Sequence, residues 1–162
     1  MRIRAASALL TALIVAGALS GCTFAAVQAT EKQYNPSDGI GETIGDIAVR
    51  NALLITGDGE TANLLVNFVN DGVTNVALTV SWDTKAGRVE RNVYLKAGGT
   101  GAYGGTRNQI ILSGIDAQPG SLFPVFFQYG DEEGRDLSVP VLDGQLEEYS
   151  SFVPGSTEPA AE

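Results

Sequence analysis

The feature that most constrains the fold of this chain is a succession of short apolar runs that repeat every second residue. The clearest run is VTNVALTVSW, whose apolar side chains are Val76, Leu78, Val80 and Trp82. Because successive side chains of a strand point to opposite faces, this spacing predicts strands with one buried face. No long apolar helical pattern accompanies the runs, so the sequence favours an all-β domain.

About seven such runs follow one another from residue 44 to residue 142, with turn sequences between them. In the first run, Ile47, Val49, Leu53 and Ile55 are expected on one face. In the later runs the expected inward residues are Val89, Val93 and Leu95, then Phe123, Val125, Phe127 and Tyr129, then Leu137, Val139 and Val141. Turns every 8–12 residues are typical of an antiparallel Greek-key sandwich, immunoglobulin-like or cupredoxin-like.

The turn sequences predict how the strands are connected and where the loops lie. Asn70-Asp71-Gly72 predicts a tight hairpin, and residues 96–105 predict a glycine-rich loop. Since strand direction alternates, loops near 70–72, 96–105 and 130–134 are expected at the end where the chain enters the domain. Loops near 57–61, 83–87 and 114–120 are expected at the opposite end.

The N-terminus has the layout of a secretory signal. Arg2 and Arg4 are followed by residues 5–21, which carry no charge and end in small residues. A positive start, an apolar stretch and a small-residue cleavage site are the marks of a segment that is removed after export. A run of this length is at the lower limit of what spans a bilayer as a helix.

The last four residues of that region resemble the lipobox of bacterial lipoprotein precursors. Leu19, Ser20, Gly21 and Cys22 match its aliphatic, small, small and cysteine positions. The resemblance implies that the Cys22 sulfur receives a diacylglyceryl group, that the chain is cut before Cys22, and that acyl chains hold the product on the outer face of the cell membrane. Two acyl chains anchor durably, since each buried methylene contributes ~0.8 kcal/mol.

These observations predict four segments. Residues 1–21 are a lipoprotein signal peptide, residues 22–43 are the lipidated N-terminus and a tether, residues 44–153 are the β-sandwich, and residues 154–162 are a disordered tail. The sandwich is expected to include residues 143–153, with Tyr149 and Phe152 laid back on the strands.

Composition excludes several classes of function. Removal of residues 1–21 takes two of the ten basic residues and none of the 19 acidic ones, so the mature chain has a formal charge of −11. Such a surface repels nucleic acid and anionic lipid headgroups. Secreted copper chaperones of cupredoxin-like form bind through Met and His, but this chain has no His and its one Met is Met1. Soft-metal and zinc sites therefore lack ligands, and no cofactor is predicted.

Two motifs have an ordinary structural explanation. Residues 99–104 spell G-x-G-x-x-G, but the sequence that follows is β-like, whereas a dinucleotide site needs a helix there. Asp131, Glu132, Glu133 and Asp136, with Asp71, offer oxygen ligands to calcium, but their spacing matches no EF-hand. A hairpin loop and a solvated acidic turn are the favoured interpretations, so neither a metal ligand nor a catalytic residue is assigned.

The fragments YNPSDGIGETIGDIAVRNALLI and FQYGDEEGRDLSVPVLDG resemble small secreted lipoproteins of actinobacteria whose function is unknown, and no site residue follows from that resemblance. The sequence predicts an extracytoplasmic, lipid-anchored binding or accessory module of the cell envelope, with no enzymatic activity. Its partner is the membrane through Cys22 and, beyond it, an envelope protein, wall polymer or lipid. A hydrolase that uses a carboxylate pair and a calcium-dependent adhesion domain are the alternatives.

Overall fold

The strands of this protein are short and almost all antiparallel. The computed structural model describes residues 37–156, which form nine β-strands and one helical turn. The strands are β1 (Ile40–Ile44), β2 (Ile47–Thr56), β3 (Thr61–Asn70), β4 (Val76–Thr84), β5 (Gly87–Leu95), β6 (Thr100–Tyr103), β7 (Ile111–Ser113), β8 (Leu122–Tyr129) and β9 (Arg135–Leu142). The helical turn, α1, covers Glu147–Ser150.

The strands are hydrogen-bonded in the order β5-β4-β8-β9-β2-β3-β6, with β1 paired to β2 and β7 paired to β3. One layer contains β5, β4, β8 and β9, and the other contains β1, β2, β3, β6 and β7. A short parallel pairing joins the layers, with Leu54 opposite Val141 and Ile55 opposite Leu142. The predicted all-β sandwich is confirmed, with this one departure from antiparallel order.

The core lies between the two layers, where their alternating apolar side chains meet. Phe68 of β3 and Phe127 of β8 are fully buried, and their ring centroids are 6.1 Å apart in an edge-on arrangement. The Trp82 indole donates a hydrogen bond to the Ser113 carbonyl oxygen (3.1 Å), which links β4 to β7. The predicted inward faces of β4, β8 and β9 are confirmed.

The predicted face of β2 is wrong beyond Asn51. Asn51 has φ = 50°, and the register with β3 shifts by one residue between Arg50 and Leu53. This bulge reverses the alternation, because one extra residue turns every later side chain to the other face. Ala52 and Leu54 therefore continue the core face that Ile47 and Val49 begin.

The outer face of β2 and β3 is buried as well. Leu53 and Ile55 are at most 1% exposed although neither belongs to the main core. Near them, the Asn63 amide nitrogen donates hydrogen bonds to the carbonyl oxygens of Gly104 (2.7 Å) and Phe152 (3.0 Å). The segment after β9 thus folds back over this face, as the sequence predicts.

The two ends of the described chain meet beside this segment. The Tyr149 hydroxyl donates a hydrogen bond to the Asp38 carboxylate (2.6 Å). That bond raises the pKa of Tyr149 to about 12, because it stabilises the protonated phenol, with smaller contributions from burial and from nearby negative charge. The contact ties the start of the domain to its C-terminal segment.

Three connections differ from their predictions. β1 begins at Ile40, so the ordered strands start before the predicted boundary at residue 44. Residues 70–72 do not form a hairpin, since β3 and β4 belong to different layers; the Asn70 side chain instead bonds the backbone of Gly72 and Thr74 across this crossing. The predicted loop at 96–105 contains β6, which pairs with β3.

The predicted grouping of the loops is confirmed by contacts at both ends. At one end, Asn70 N–H donates to the Gly99 carbonyl and Asp46 N–H donates to the Tyr129 hydroxyl. At the other, Ile115 N–H donates to the Glu60 carbonyl and Lys85 pairs with Asp116 (3.1 Å). The chain does not enter at the first end, however, because β1 runs antiparallel to β2 and places Ile40 opposite Ala52, in the middle of β2.

Candidate functional site

The residues predicted to carry the lipid lie outside the described part of the chain. Leu19, Ser20, Gly21 and Cys22 precede residue 37, as do the signal peptide and most of the tether, so lipidation stays a prediction. The tail beyond residue 156 is likewise outside. Within residues 37–156, no helix is long and apolar enough to cross a membrane.

Neither of the two motifs weighed from the sequence forms a ligand site. Between residues 37 and 156, no three acidic, histidine or cysteine side chains are grouped as a metal ion would require. In the acidic turn, Glu133 lies 3.9 Å from Arg135, and Glu132 stands beside Gly45. The G-x-G-x-x-G sequence is strand β6, so it has no helix start to hold a phosphate.

The candidate site is the gap between the two outermost strands of the curled sheet, β5 and β6. We call it the seam and define it as residues 91–96, 99–103 and 107–110. Tyr103 of β6 lies in it, with its ring 5.4 Å from that of Phe68 and its hydroxyl donating a long hydrogen bond to the Tyr94 carbonyl oxygen (3.5 Å). Burial raises the pKa of the Tyr103 phenol. The Tyr103 side chain, rather than a ladder of backbone hydrogen bonds, thus bridges the edges of β5 and β6.

Three surface cavities converge on Tyr94. Cavities of about 230 and 200 Å³ lie in the seam on either side of Tyr103. A third, of about 370 Å³, lies beside them and is lined by residues 75–77 and 94–96. Tyr94 borders all three cavities and is 78% exposed, so its aromatic ring faces solvent beside the seam.

The seam is basic although the protein is strongly acidic. Arg91, Lys96 and Arg107 line these cavities, and no acidic residue between positions 37 and 156 does. None of the three approaches a carboxylate within 4.0 Å in the described part of the chain, whereas Lys85, Arg88 and Arg135 each do. All three side chains are exposed.

The sequence carries a signal for this site that the analysis of individual motifs missed. Residues 84–115 hold five basic residues and a single acidic one, Glu90, in a chain where acids outnumber bases by 19 to 10. Local charge balance could therefore have marked the region. Local charge does not show that β5 and β6 are edge strands that face each other, because this arrangement depends on the folding of the whole sheet.

One further cavity is polar and holds two carboxylates. It has a volume of about 320 Å³, lies among the loops at the end opposite to Asn70, and is lined by Glu60 and Asp116 together with Lys85, Thr61 and Thr84. Lys85 and Asp116 form an ion pair with side chains 86% and 73% exposed. Water solvates this pair, which gives it little electrostatic strength.

Comparisons with known proteins yield only distant likenesses. No family model matches the chain, and no curated protein matches it. Among solved structures, the copper-bound PCuAC domain from PmoF2 is 15% identical over 63% of this chain and 98% of its own, with a TM-score of 0.46. The apo PmoF2 PCuAC domain (15%, covering 63% and 95%, TM-score 0.45) and the apo PCuAC domain from PmoF1 (16%, covering 63% and 99%, TM-score 0.44) are similar. These likenesses carry no argument about what this chain binds.

Proposed function

We propose that this chain is a lipid-anchored, extracytoplasmic binding or accessory module of the bacterial envelope, and that it binds its partner through the seam. The observation that carries the proposal is the meeting of three cavities at the exposed residue Tyr94, among basic side chains that form no ion pair with a carboxylate of residues 37–156. Exposed aromatic and arginine side chains are enriched at binding surfaces. The lipobox-like sequence Leu19-Ser20-Gly21-Cys22 supports the proposed location at the outer face of the cell membrane.

Binding is favoured over catalysis at this site because the seam lacks the groups that transfer protons near neutral pH. The chain has no histidine, and its single cysteine is Cys22. In the part of the chain that the structure describes, no carboxylate lines the three cavities. An aromatic face, three cations and several amides can hold a ligand, but they provide no general base.

Anchoring is tested by labelling cells with radioactive fatty acid. We expect the label on the wild-type chain and its loss in Cys22→Ser, which should leave the membrane fraction. Ser20→Ala, which keeps a small residue before the cysteine, is the matched control and should be labelled normally. A Cys22→Ser chain that stays equally membrane-bound would contradict the anchor.

The seam is tested by site-specific crosslinking on intact cells. A photoreactive residue at position 94 should give adducts with an envelope protein or wall polymer, because Tyr94 is central to the three cavities. The same residue at position 122 is the control, since Leu122 is 65% exposed but lies on β8, away from the seam. Equal yields at the two positions would remove the assignment of the seam as the binding surface.

A second candidate function is supported by the cavity that contains Glu60 and Asp116. Paired carboxylates in a concave site are the machinery of glycoside hydrolases, with separations of roughly 5–10 Å. Wall glycans incubated with the full chain should then be cleaved, and both Glu60→Gln and Asp116→Asn should abolish cleavage, with Glu90→Gln as the control. Absence of cleavage by the wild-type chain would remove this candidate.

A further inference from the structure

We infer that the ligand of the seam is an extended acidic segment of another protein, which pairs with the free edge of β5 as an added strand. The inference rests on the proposed function of the seam as the binding surface and names the partner's chemistry. β5 is nine residues long and pairs with β4 along its whole length, but on its other side no strand of the described chain is paired with it.

The backbone of β5 has hydrogen-bonding groups directed into the seam. In an antiparallel ladder, alternate residues bond to the partner strand and the residues between them point their N–H and C=O groups away from it. Tyr94 belongs to the second set, because its carbonyl oxygen accepts the bond from the Tyr103 hydroxyl. Asn92 shares that orientation by alternation. A new strand could therefore bond to both residues without disturbing β4.

Charged side chains on an edge strand commonly prevent unwanted pairing, and Arg91 fits that role. Acidic residues would protect an edge equally well, and they are the commoner charge in this chain. Among the described residues that line the cavities of the seam, every charged one is basic. Such an edge repels the basic β5 of a second copy of this chain while it attracts an acidic strand. The positive charge of this edge therefore favours an acidic partner strand over a second copy of this chain.

The two faces of β5 specify the pattern of that partner. Arg91 lies on the core-facing side with the buried Val93, and Arg107 lines the same cavity. Tyr94 lies on the outer side, next to the cavity of about 370 Å³. Because an added strand places alternate side chains on opposite faces, acidic residues would meet the arginines and apolar residues would meet Tyr94.

The length of the basic edge favours a polymer over a small anion. Arg91 and Lys96 are five residues apart, which is roughly 16 Å along an extended chain. One small anion cannot reach both. A segment of about six extended residues spans that distance.

The experiment uses a fluorescent ten-residue peptide of alternating Glu and Val and the full chain in detergent. We expect binding that weakens as salt is raised, since the contacts are charged and exposed. The same peptide with alternate amides N-methylated should not bind, because it cannot complete the ladder. Arg91→Glu combined with Arg107→Glu should weaken binding about tenfold or more. Arg50→Glu, an exposed basic site outside the seam, should leave it unchanged.

Hydrogen exchange and a proline substitution report on the backbone directly. Binding should slow amide exchange at Asn92 and Tyr94 but not at Arg91 and Val93, whose amides already bond to β4. Asn92→Pro should abolish binding because it removes an outward N–H, which an edge position tolerates. Asn92→Ala keeps that N–H and should bind normally.

The outcomes separate this inference from the proposed function. Equal binding of the N-methylated and unmethylated peptides would overturn strand addition. Absence of peptide binding, together with Tyr94-specific crosslinks to a wall polymer on cells, would also overturn it and leave the seam as the binding surface. Absence of peptide binding and of any preference for position 94 over position 122 would overturn both.

Discussion

The two sides of this sandwich show what a β-sheet edge becomes when it is closed and when it is left open. On one side, β2 and β9 join the layers through a short parallel ladder, and Leu54 and Val141 are fully buried there. On the other side, β5 and β6 are bridged by the Tyr103 side chain, and Tyr94 beside it is 78% exposed. The closed side satisfies its backbone hydrogen bonds internally, whereas on the open side no described strand pairs with the outer edge of β5.

The difference teaches that apolar burial and exposed basic charge are separated across the described sandwich. Apolar burial contributes most where both faces of a strand are covered, as in β2, whose Leu53 and Leu54 point in opposite directions and are both buried. Charge and aromatic exposure are concentrated where the edge is free. Substitutions on the two sides should therefore change different measurements.

The largest loss of stability is expected from Leu54→Ala on the closed side. The side chain is fully buried opposite Val141, so its truncation should lower the free energy of unfolding by about 2–5 kcal/mol. Urea denaturation measures the loss. Leu122→Ala, at a position 65% exposed, is the control and should change stability by about 0.5 kcal/mol or less. Equal effects of the two variants would contradict the location of the core.

The second largest loss of stability is expected from Asn51→Val, at the bulge in β2. Asn51 has φ = 50°, which a β-branched residue adopts only with strain, so Asn51→Val should cost roughly 1–3 kcal/mol. Asn51→Gly relieves that strain but loses the oxygen that accepts the Gly39 N–H bond (2.9 Å), and it should cost about 1 kcal/mol. Thermal unfolding ranks the variants. A valine variant more stable than the glycine variant would show that the bulge does not require this conformation.

A smaller, pH-dependent effect is expected from Tyr149→Phe. Loss of the bond to Asp38 should cost about 1 kcal/mol at neutral pH. Because the folded state raises the pKa of Tyr149 from its ordinary value of 10.0 to about 12, the wild-type advantage should be complete below pH 10 and disappear as pH rises towards 12. Unfolding midpoints of both chains between pH 8 and 12 measure it, and a constant difference would contradict the contact.

The smallest effect on stability is expected from Tyr94→Ala on the open side. The ring is mostly exposed, so the free energy of unfolding should change by about 0.5 kcal/mol or less. Tyr94→Ala should nevertheless markedly lower the amount of the proposed seam partner that is captured on cells. Tyr94→Phe keeps the ring and should retain capture. A loss of stability as large as that of Leu54→Ala would show that Tyr94 is structural.

The sequence predicts individual strands well where alternation is uninterrupted. In β4, β8 and β9 the predicted inward residues, such as Val80, Val125 and Val139, are buried. The prediction fails in β2 because one additional residue at Asn51 turns every later side chain to the other face. Asparagine is depleted in strands and enriched at positive φ, so Asn51 itself marks the irregular position, but the alternation pattern alone does not use that signal. Val89 is also more exposed than predicted (39%), since it lies in the first part of edge strand β5, where every residue is exposed, whereas Val93 and Leu95 further along are buried.

The pairing of strands and the candidate site depend on long-range contacts that local patterns do not contain. Asn70-Asp71-Gly72 has the composition of a hairpin turn, yet the two strands that it connects, β3 and β4, belong to different layers. The glycine-rich sequence around Thr100 has no strand pattern, because β6 has little apolar surface. Its place in the sheet comes from pairing with β3. Arg91 and Arg107 become one basic surface only when the sheet curls.

The route by which the chain reaches the domain has a consequence for the approach of large partners. β1 lies along the edge of β2 that also carries β9, and the Asp38–Tyr149 contact holds the start of the domain there. If Cys22 is the anchor, the tether enters the domain on the side of the sandwich opposite Tyr94. A large partner bound at that ring would then leave the point of entry uncovered.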